Sequence, residues 1–165
     1  MADIENDLMQ LSQEIKQKDY PKLYFFGGAE KYLKKFYIDK IVESLLDESS
    51  KDMNYDIITS DGYSLDRVSQ SVNTLPFFAE KRIVLLQEIG VLTKGELAPI
   101  FENIPDDVLV IINEASLKKK KTEKQEVNEN SLEIIDKNES KKVDVLKVIK
   151  KVGKVIEIEK ISDVI

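Results

Sequence analysis

The sequence predicts an α/β domain of three layers, with helices on both faces of a five-stranded, mainly parallel sheet. Three observations predict it. Apolar runs and helical periodicities alternate five times along the chain. The strand candidates are continuous runs rather than in/out alternations, which is what strands buried on both faces need. The chain has 165 residues, 42% hydrophobic and 34% charged, enough for one domain with a real core and a solvated surface.

The elements follow in order. Ile4, Leu8, Leu11 and Ile15 fall at helical spacing, so the first 18 residues read as an amphipathic helix that ends before Pro21. Leu23-Tyr24-Phe25-Phe26 is the first strand, and Gly27-Gly28 turns the chain out of it. Residues 30–46 read as a long helix with Leu33, Phe36, Tyr37, Val42, Leu45 and Leu46 on a broad apolar face. Residues 55–58 form the second strand. Ser64 caps a helix whose stripe is Leu65, Val68 and Val72. Arg82-Ile83-Val84-Leu85-Leu86 is a central strand, a helix runs from Thr93 to Asn103 ahead of Pro105, and Val108-Leu109-Val110-Ile111-Ile112 is the strongest strand signal. A last helix near 143–152 ends at Gly153 as a C-cap, and residues 155–158 make the fifth strand. Residues 115–142 are polar and read as a surface insertion, with Leu132-Glu133-Ile134-Ile135 as one extra strand inside it.

Composition removes several function classes. There is no cysteine and no histidine, which excludes disulfides, thiolate nucleophiles, Ser-His-Asp triads and the commonest metal ligands. Any chemistry has to run on carboxylates, Lys, Tyr or Ser. The net charge of -6 argues against whole-molecule attraction to nucleic acid or anionic membrane. No apolar run reaches the length of a bilayer span, and the acidic start Met1-Ala2-Asp3-Ile4-Glu5 is unlike a signal peptide, so a cytoplasmic protein without membrane contact is expected.

The default ligand site of such a fold is the loop after the first strand. Here it reads Gly27-Gly28-Ala29-Glu30-Lys31-Tyr32. Three glycines at dinucleotide-binding spacing are absent. The phosphate-loop pattern needs a second Gly followed by Lys and a hydroxyl residue. Counted from Gly27, those positions hold Tyr32, Leu33 and Lys34; counted from Gly28, they hold Leu33, Lys34 and Lys35. Glu30 would also face any phosphate with a carboxylate. The fourth strand runs into Asn113-Glu114, where a magnesium-holding pair would want Asp-Glu. The domain is thus expected to lack a functional P-loop and to take no cofactor and no metal. A nucleotide-binding ATPase with a degenerate phosphate loop is the alternative. Lys118–Lys121 offers a third possibility, direct DNA contact, although Glu123, Glu126 and Glu129 follow closely.

The connection Asn73-Thr74-Leu75-Pro76-Phe77-Phe78-Ala79-Glu80-Lys81-Arg82 is the unusual stretch. Connections run over the surface, and Pro76 fixes the backbone beside two adjacent aromatics. Leu75, Phe77 and Phe78 therefore either form an exposed anchor for a protein partner or cap the sheet edge.

These residues carry a family resemblance. Tyr24-Phe25-Phe26-Gly27-Gly28-Ala29-Glu30-Lys31-Tyr32-Leu33, Asp61-Gly62, the block from Leu75-Pro76-Phe77-Phe78 to Arg82-Ile83-Val84, and Val152-Gly153-Lys154-Val155-Ile156-Glu157 together resemble the N-terminal domain of the bacterial DNA polymerase III delta subunit, a clamp-loader subunit. The Leu-Pro-Phe-Phe block is the most specific part. The resemblance implies a clamp-loader ATPase (AAA+) fold of the P-loop NTPase type that binds no ATP. It implies a single domain over 1–165, with the family's helical lid and collar absent. It also implies that Thr74, Leu75, Pro76, Phe77 and Phe78 bind the beta sliding clamp and help open it during DNA replication. The other implied partners are the delta prime and tau/gamma subunits and, through the assembled complex, DNA. No catalysis is implied for this chain, only membership of the polymerase III holoenzyme, a DNA-directed DNA polymerase.

Overall fold

The computed structural model describes residues 2–115 and 144–159. Helix α1 (Ala2–Gln17) leads into β1 (Leu23–Gly27), and α2 (Lys31–Leu45) and α3 (Glu48–Asn54) precede β2 (Tyr55–Thr59). Then come α4 (Leu65–Val72), β3 (Arg82–Gln87), α5 (Ala98–Glu102), β4 (Val108–Asn113), α6 (Val145–Val152) and β5 (Lys154–Glu157). The strands form one sheet in the order β2-β3-β4-β1-β5, and every neighbouring pair is parallel.

Successive residues of a strand point to opposite faces, so continuous apolar runs supply two cores at once. Leu23, Phe25, Val84, Leu86, Val110 and Ile112 pack on one face with Val68 and Val72 of α4, Phe101 of α5 and Ile149 of α6. Tyr24, Phe26, Ile83, Leu85, Leu109 and Ile111 pack on the other with Leu11 of α1 and Ile38, Ile41 and Val42 of α2. Glu14 ties α1 to the sheet, accepting from the Tyr24 hydroxyl and the Lys154 ammonium.

Several expectations need correction. The broad apolar face of α2 is narrower than its composition suggests: Phe36 is exposed, and the buried stripe is Lys34, Ile38, Ile41 and Val42. In α4, Leu65 is exposed while Ser71 joins Val68 and Val72 inside. Ser64 does cap α4, its hydroxyl accepting from the Arg67 amide at 3.0 Å. The helix expected over 93–103 is instead two 3-10 turns, Val91–Thr93 and Gly95–Leu97, followed by the short α5. Gly95 and Pro99 interrupt a continuous helix there, Pro99 being tolerated only in the first turn of α5. Helix α3 was not expected, because Glu48–Asn54 carries no apolar stripe. Its signal is the cap, in which the Asp47 carboxylate accepts from the Ser50 amide at 2.9 Å.

Gly153 is the C-cap of α6, as expected, its amide donating to the Ile149 carbonyl at 2.9 Å, but its backbone is extended (φ -139°, ψ -153°) rather than left-handed. A Cβ there would lie 2.0 Å from the Leu23 carbonyl oxygen, so glycine is required for the close approach of α6 to β1. The insertion at 115–142, its extra strand and Lys118–Lys121 lie outside the described residues apart from Ala115.

Candidate functional site

Two places compete: the crevice above the carboxyl ends of β1 and β4, and the connection between α4 and β3. In the crevice, Gly28 adopts φ +100°, and a Cβ on it would meet the Ile158 carbonyl oxygen at 2.1 Å. The Ile158 amide donates to the Gly27 carbonyl at 2.8 Å, and the Glu30 amide donates to the Ile158 carbonyl at 3.1 Å. The chain leaving β5 thus lies across the loop, and one loop amide that a phosphate would want is already used.

Lys34, which stands where a phosphate-loop lysine would in the Gly28 frame, is almost fully buried and donates to the Glu114 carbonyl at 2.8 Å. Burial pulls its ammonium pKa down, against the opposing pull of Glu88 and Glu114. The Glu114 carboxylate in turn accepts from the Gly90 and Val91 amides, both at 2.9 Å, and so pins the turn after β3. Burial raises its pKa and the two amides oppose the rise. The Asn113 amide donates to Gln87 at 3.1 Å. Lys34, Glu114 and the Asn113 side-chain nitrogen are thus all engaged in structural contacts, while the Asn113 side-chain oxygen is buried without a hydrogen-bond partner. Among the described residues no grouping of three or more acidic side chains is placed to hold a metal ion.

The α4–β3 connection is the opposite case. Leu75, Phe77 and Phe78 are 72%, 51% and 92% exposed, which rules out the sheet-capping alternative for Phe78 and leaves Phe77 half out. Their rings meet edge to face, with centroids 4.5 Å apart. Phe78 has φ +55°, the left-handed region that a bulky side chain enters only at a cost of about 1–2 kcal/mol. Thr74 continues α4 by donating its hydroxyl to the Gln70 carbonyl at 2.6 Å, and Pro76 is half-buried. All five predicted residues lie in this one exposed segment.

What holds the segment is a polar frame beneath it. The fully buried Asn54, last residue of α3, accepts from the Phe77 amide at 2.6 Å and donates to the Phe77 carbonyl at 2.8 Å. The Arg82 guanidinium, also buried, donates to the Ser71 carbonyl at 2.8 Å and the Met53 carbonyl at 3.1 Å. Asp56 on β2 accepts a two-pronged pair from Arg67 at 2.5 and 2.6 Å and the Ser71 hydroxyl at 2.5 Å. Sequence reasoning missed Asn54, Asp56 and Arg67, because contacts between separate elements, 23 residues apart for Asn54 and Phe77 and 11 for Asp56 and Arg67, leave no periodic trace.

The Arg67 hydrogen bonds hold the Asp56 carboxyl below the usual carboxylate range, aided by Ser71. A carboxyl with a lowered folded pKa stabilises the fold above its unfolded value and loses that contribution as pH falls through the folded one. Asp56→Asn is therefore expected to cost about 2 kcal/mol at neutral pH, typical for a charge-assisted hydrogen bond. In denaturant melts across pH, the gap to the unmodified protein should begin to shrink near about pH 4, the unfolded value, and close as pH falls through the lowered folded value. A gap that persists there would show that Asp56 acts by shape rather than charge.

No helix among the described residues is long and apolar enough to cross a membrane. A model of the DNA polymerase III, delta subunit family matches residues 24–159. A DNA polymerase III subunit delta of Bacillus subtilis is 26% identical over 81 residues, which cover 49% of this chain and 23% of that protein. Among solved structures, the Bacillus subtilis DNA clamp loader delta protein superposes with a TM-score of 0.73 at 16% identity, over 93% of this chain and 42% of that one. A DNA polymerase III gamma subunit-related protein of Thermotoga maritima superposes at 0.54 with 9% identity, over 94% of this chain and 47% of that one. The chain therefore spans less than half the length of these relatives, and its α/β fold is the one found in these two structures.

Proposed function

From the premise that the chain belongs to the DNA polymerase III delta subunit family, we propose that it is the clamp-binding part of a clamp loader, working in DNA replication without binding ATP itself. The observation that carries this reading is the exposed trio Leu75, Phe77 and Phe78 on a connection whose backbone is fixed by Pro76 and Asn54. Soluble proteins seldom leave adjacent aromatics in water on a held loop unless a partner covers them. A buried aromatic anchor is also the commonest hot spot of a protein interface.

The partner on this reading is the beta sliding clamp, with Thr74, Leu75, Pro76, Phe77 and Phe78 as the contact. The apolar side chains enter a pocket on the ring, and Thr74 and Pro76 set the loop's direction. Better binding to the open ring than to the closed one shifts the ring toward opening. The delta prime and tau/gamma subunits, and DNA through the assembled complex, are the other partners, and the protein works in the cytoplasm. No catalysis belongs to this chain; the holoenzyme it serves is the polymerase. The crevice supports a role without nucleotide, because Ile158 crosses the phosphate loop and Lys34 is engaged by the Glu114 carbonyl.

Calorimetric titration of the protein with the cognate clamp, and separately with ATP and magnesium, tests both halves. Heat with the clamp and silence with ATP is the expected result. The reverse pattern would make the chain a nucleotide-binding ATPase of the same fold.

A further inference from the structure

We propose that Asn54 is a positioning residue for the clamp-binding loop, setting the direction of Phe77 and Phe78 through the Phe77 backbone; this rests on the clamp-binding reading above. Asn54 is 0% exposed, yet it does not belong to either apolar core. Its side-chain oxygen accepts from the Phe77 amide at 2.6 Å, and its side-chain nitrogen donates to the Phe77 carbonyl at 2.8 Å and to the Ser50 carbonyl at 2.9 Å. Both amide hydrogens are thereby used, and both peptide groups flanking Phe77 are fixed by one side chain. Only an amide of this length does this: a carboxylate has nothing to donate to the two carbonyls, and glutamine carries an extra methylene.

The residues on either side make the two-point grip consequential. Pro76 fixes φ before Phe77, and Phe78 follows in the left-handed region at φ +55°. A strained aromatic nearly wholly in water persists only where its surroundings over-determine the backbone, and Asn54 is the buried side chain that holds the neighbouring peptides. Asn54 is itself anchored, since the adjacent Met53 carbonyl accepts from Arg82 at 3.1 Å and Asp47 caps the other end of α3. The line of contact thus runs from the start of β3, through the end of α3, to the aromatic pair.

Without Asn54 the loop visits several conformers, and the apparent affinity falls by the fraction of the binding-competent one. Asn54→Ala is expected to raise the dissociation constant for the clamp about tenfold, corresponding to a competent fraction of about one-tenth. Asn54→Asp should act likewise, because it keeps the acceptor and loses the donor. In a Phe78→Ala background the same Asn54→Ala change should have a much smaller effect, which a general loss of fold would not produce. Hydrogen exchange on the full chain supplies a readout independent of the clamp. The Phe77 amide should be protected in the unmodified protein and exchange at least about tenfold faster in Asn54→Ala, while β3 and β4 amides keep their protection. An unprotected Phe77 amide in the unmodified protein overturns the proposal even if both variants fail to fold, and so does unchanged clamp affinity in a folded Asn54→Ala. If Phe78→Ala binds the clamp as well as the unmodified protein, the clamp reading has failed instead, whatever the exchange of Phe77 shows.

Discussion

Clamp binding should fall by about a hundredfold or more when Phe77 and Phe78 are both replaced by alanine, with the domain still folded. Phe78 is 92% exposed and Phe77 51%, so nearly all of one ring and half of the other are available to a partner. A Phe that moves from water into an apolar pocket buries about 150 Å², worth about 4 kcal/mol at about 25 cal/mol per Å² before ordering costs are subtracted. Truncation of such anchors typically costs about 2 kcal/mol or more each. At about 1.4 kcal/mol per factor of ten, even incomplete additivity gives two orders of magnitude. Exposure sets the effect on folding in the opposite way. Side chains already in water contribute little to stability, so the melting free energy should change by no more than about 1 kcal/mol. The measurement is a clamp titration paired with a denaturant melt of the same sample. A variant that loses several kcal/mol of stability yet binds the clamp unchanged would make the pair core residues and remove the interface from this loop.

Gly153→Ala is the substitution expected to damage the fold most. The new methyl would sit 2.0 Å from the Leu23 carbonyl oxygen, 2.7 Å from its carbon and 2.8 Å from the Leu23 side chain. These neighbours are mainly backbone, and that backbone is β1, paired with β4 on one side and β5 on the other. Moving β1 to admit the methyl would disturb both ladders and both cores. A loss of about 4 kcal/mol is expected, within the range reserved for backbone collisions and cavities and a large part of the total for a domain of this size. Gly62→Ala is the matched control, because nothing lies within 4 Å of its would-be methyl, and it should stay within about 0.5 kcal/mol. Equal urea midpoints for the two variants would show that α6 does not approach β1 this closely.

The crevice and the loop illustrate opposite uses of one scaffold. In the crevice, Glu114, Lys34 and the Ile158 backbone satisfy one another, leaving an ordered junction. At the α4–β3 connection, the polar groups satisfy one another underneath and leave the apolar ones outside. Buried polar groups need partners, so the paired ones mark structure, and the uncovered rings mark the surface that awaits another molecule.

The sequence by itself marked the three central strands, because continuous runs such as Val108-Leu109-Val110-Ile111-Ile112 suit strands buried on both faces, whereas the edge strands β2 and β5 are only partly buried and were marked by their place in the alternation with helices. It also placed residues 74–78 in a connection, since Pro76 can neither extend α4 nor donate to a ladder at the start of β3, but it left open whether Phe77 and Phe78 face solvent or cap the sheet edge. Only the tertiary structure decided the rest. The sheet order β2-β3-β4-β1-β5 follows from which runs find each other in space. Lys34 is buried and Phe36 exposed because the neighbours of α2, not its composition, choose the inward face. Gly153 closes α6 as expected, but it must be glycine for the Leu23 backbone beside it rather than for a left-handed φ. Asn54 grips Phe77 across 23 residues of chain. Periodicity records what each segment does along its own axis; contacts between segments depend on distance in three dimensions, and one strand of letters carries no mark of them.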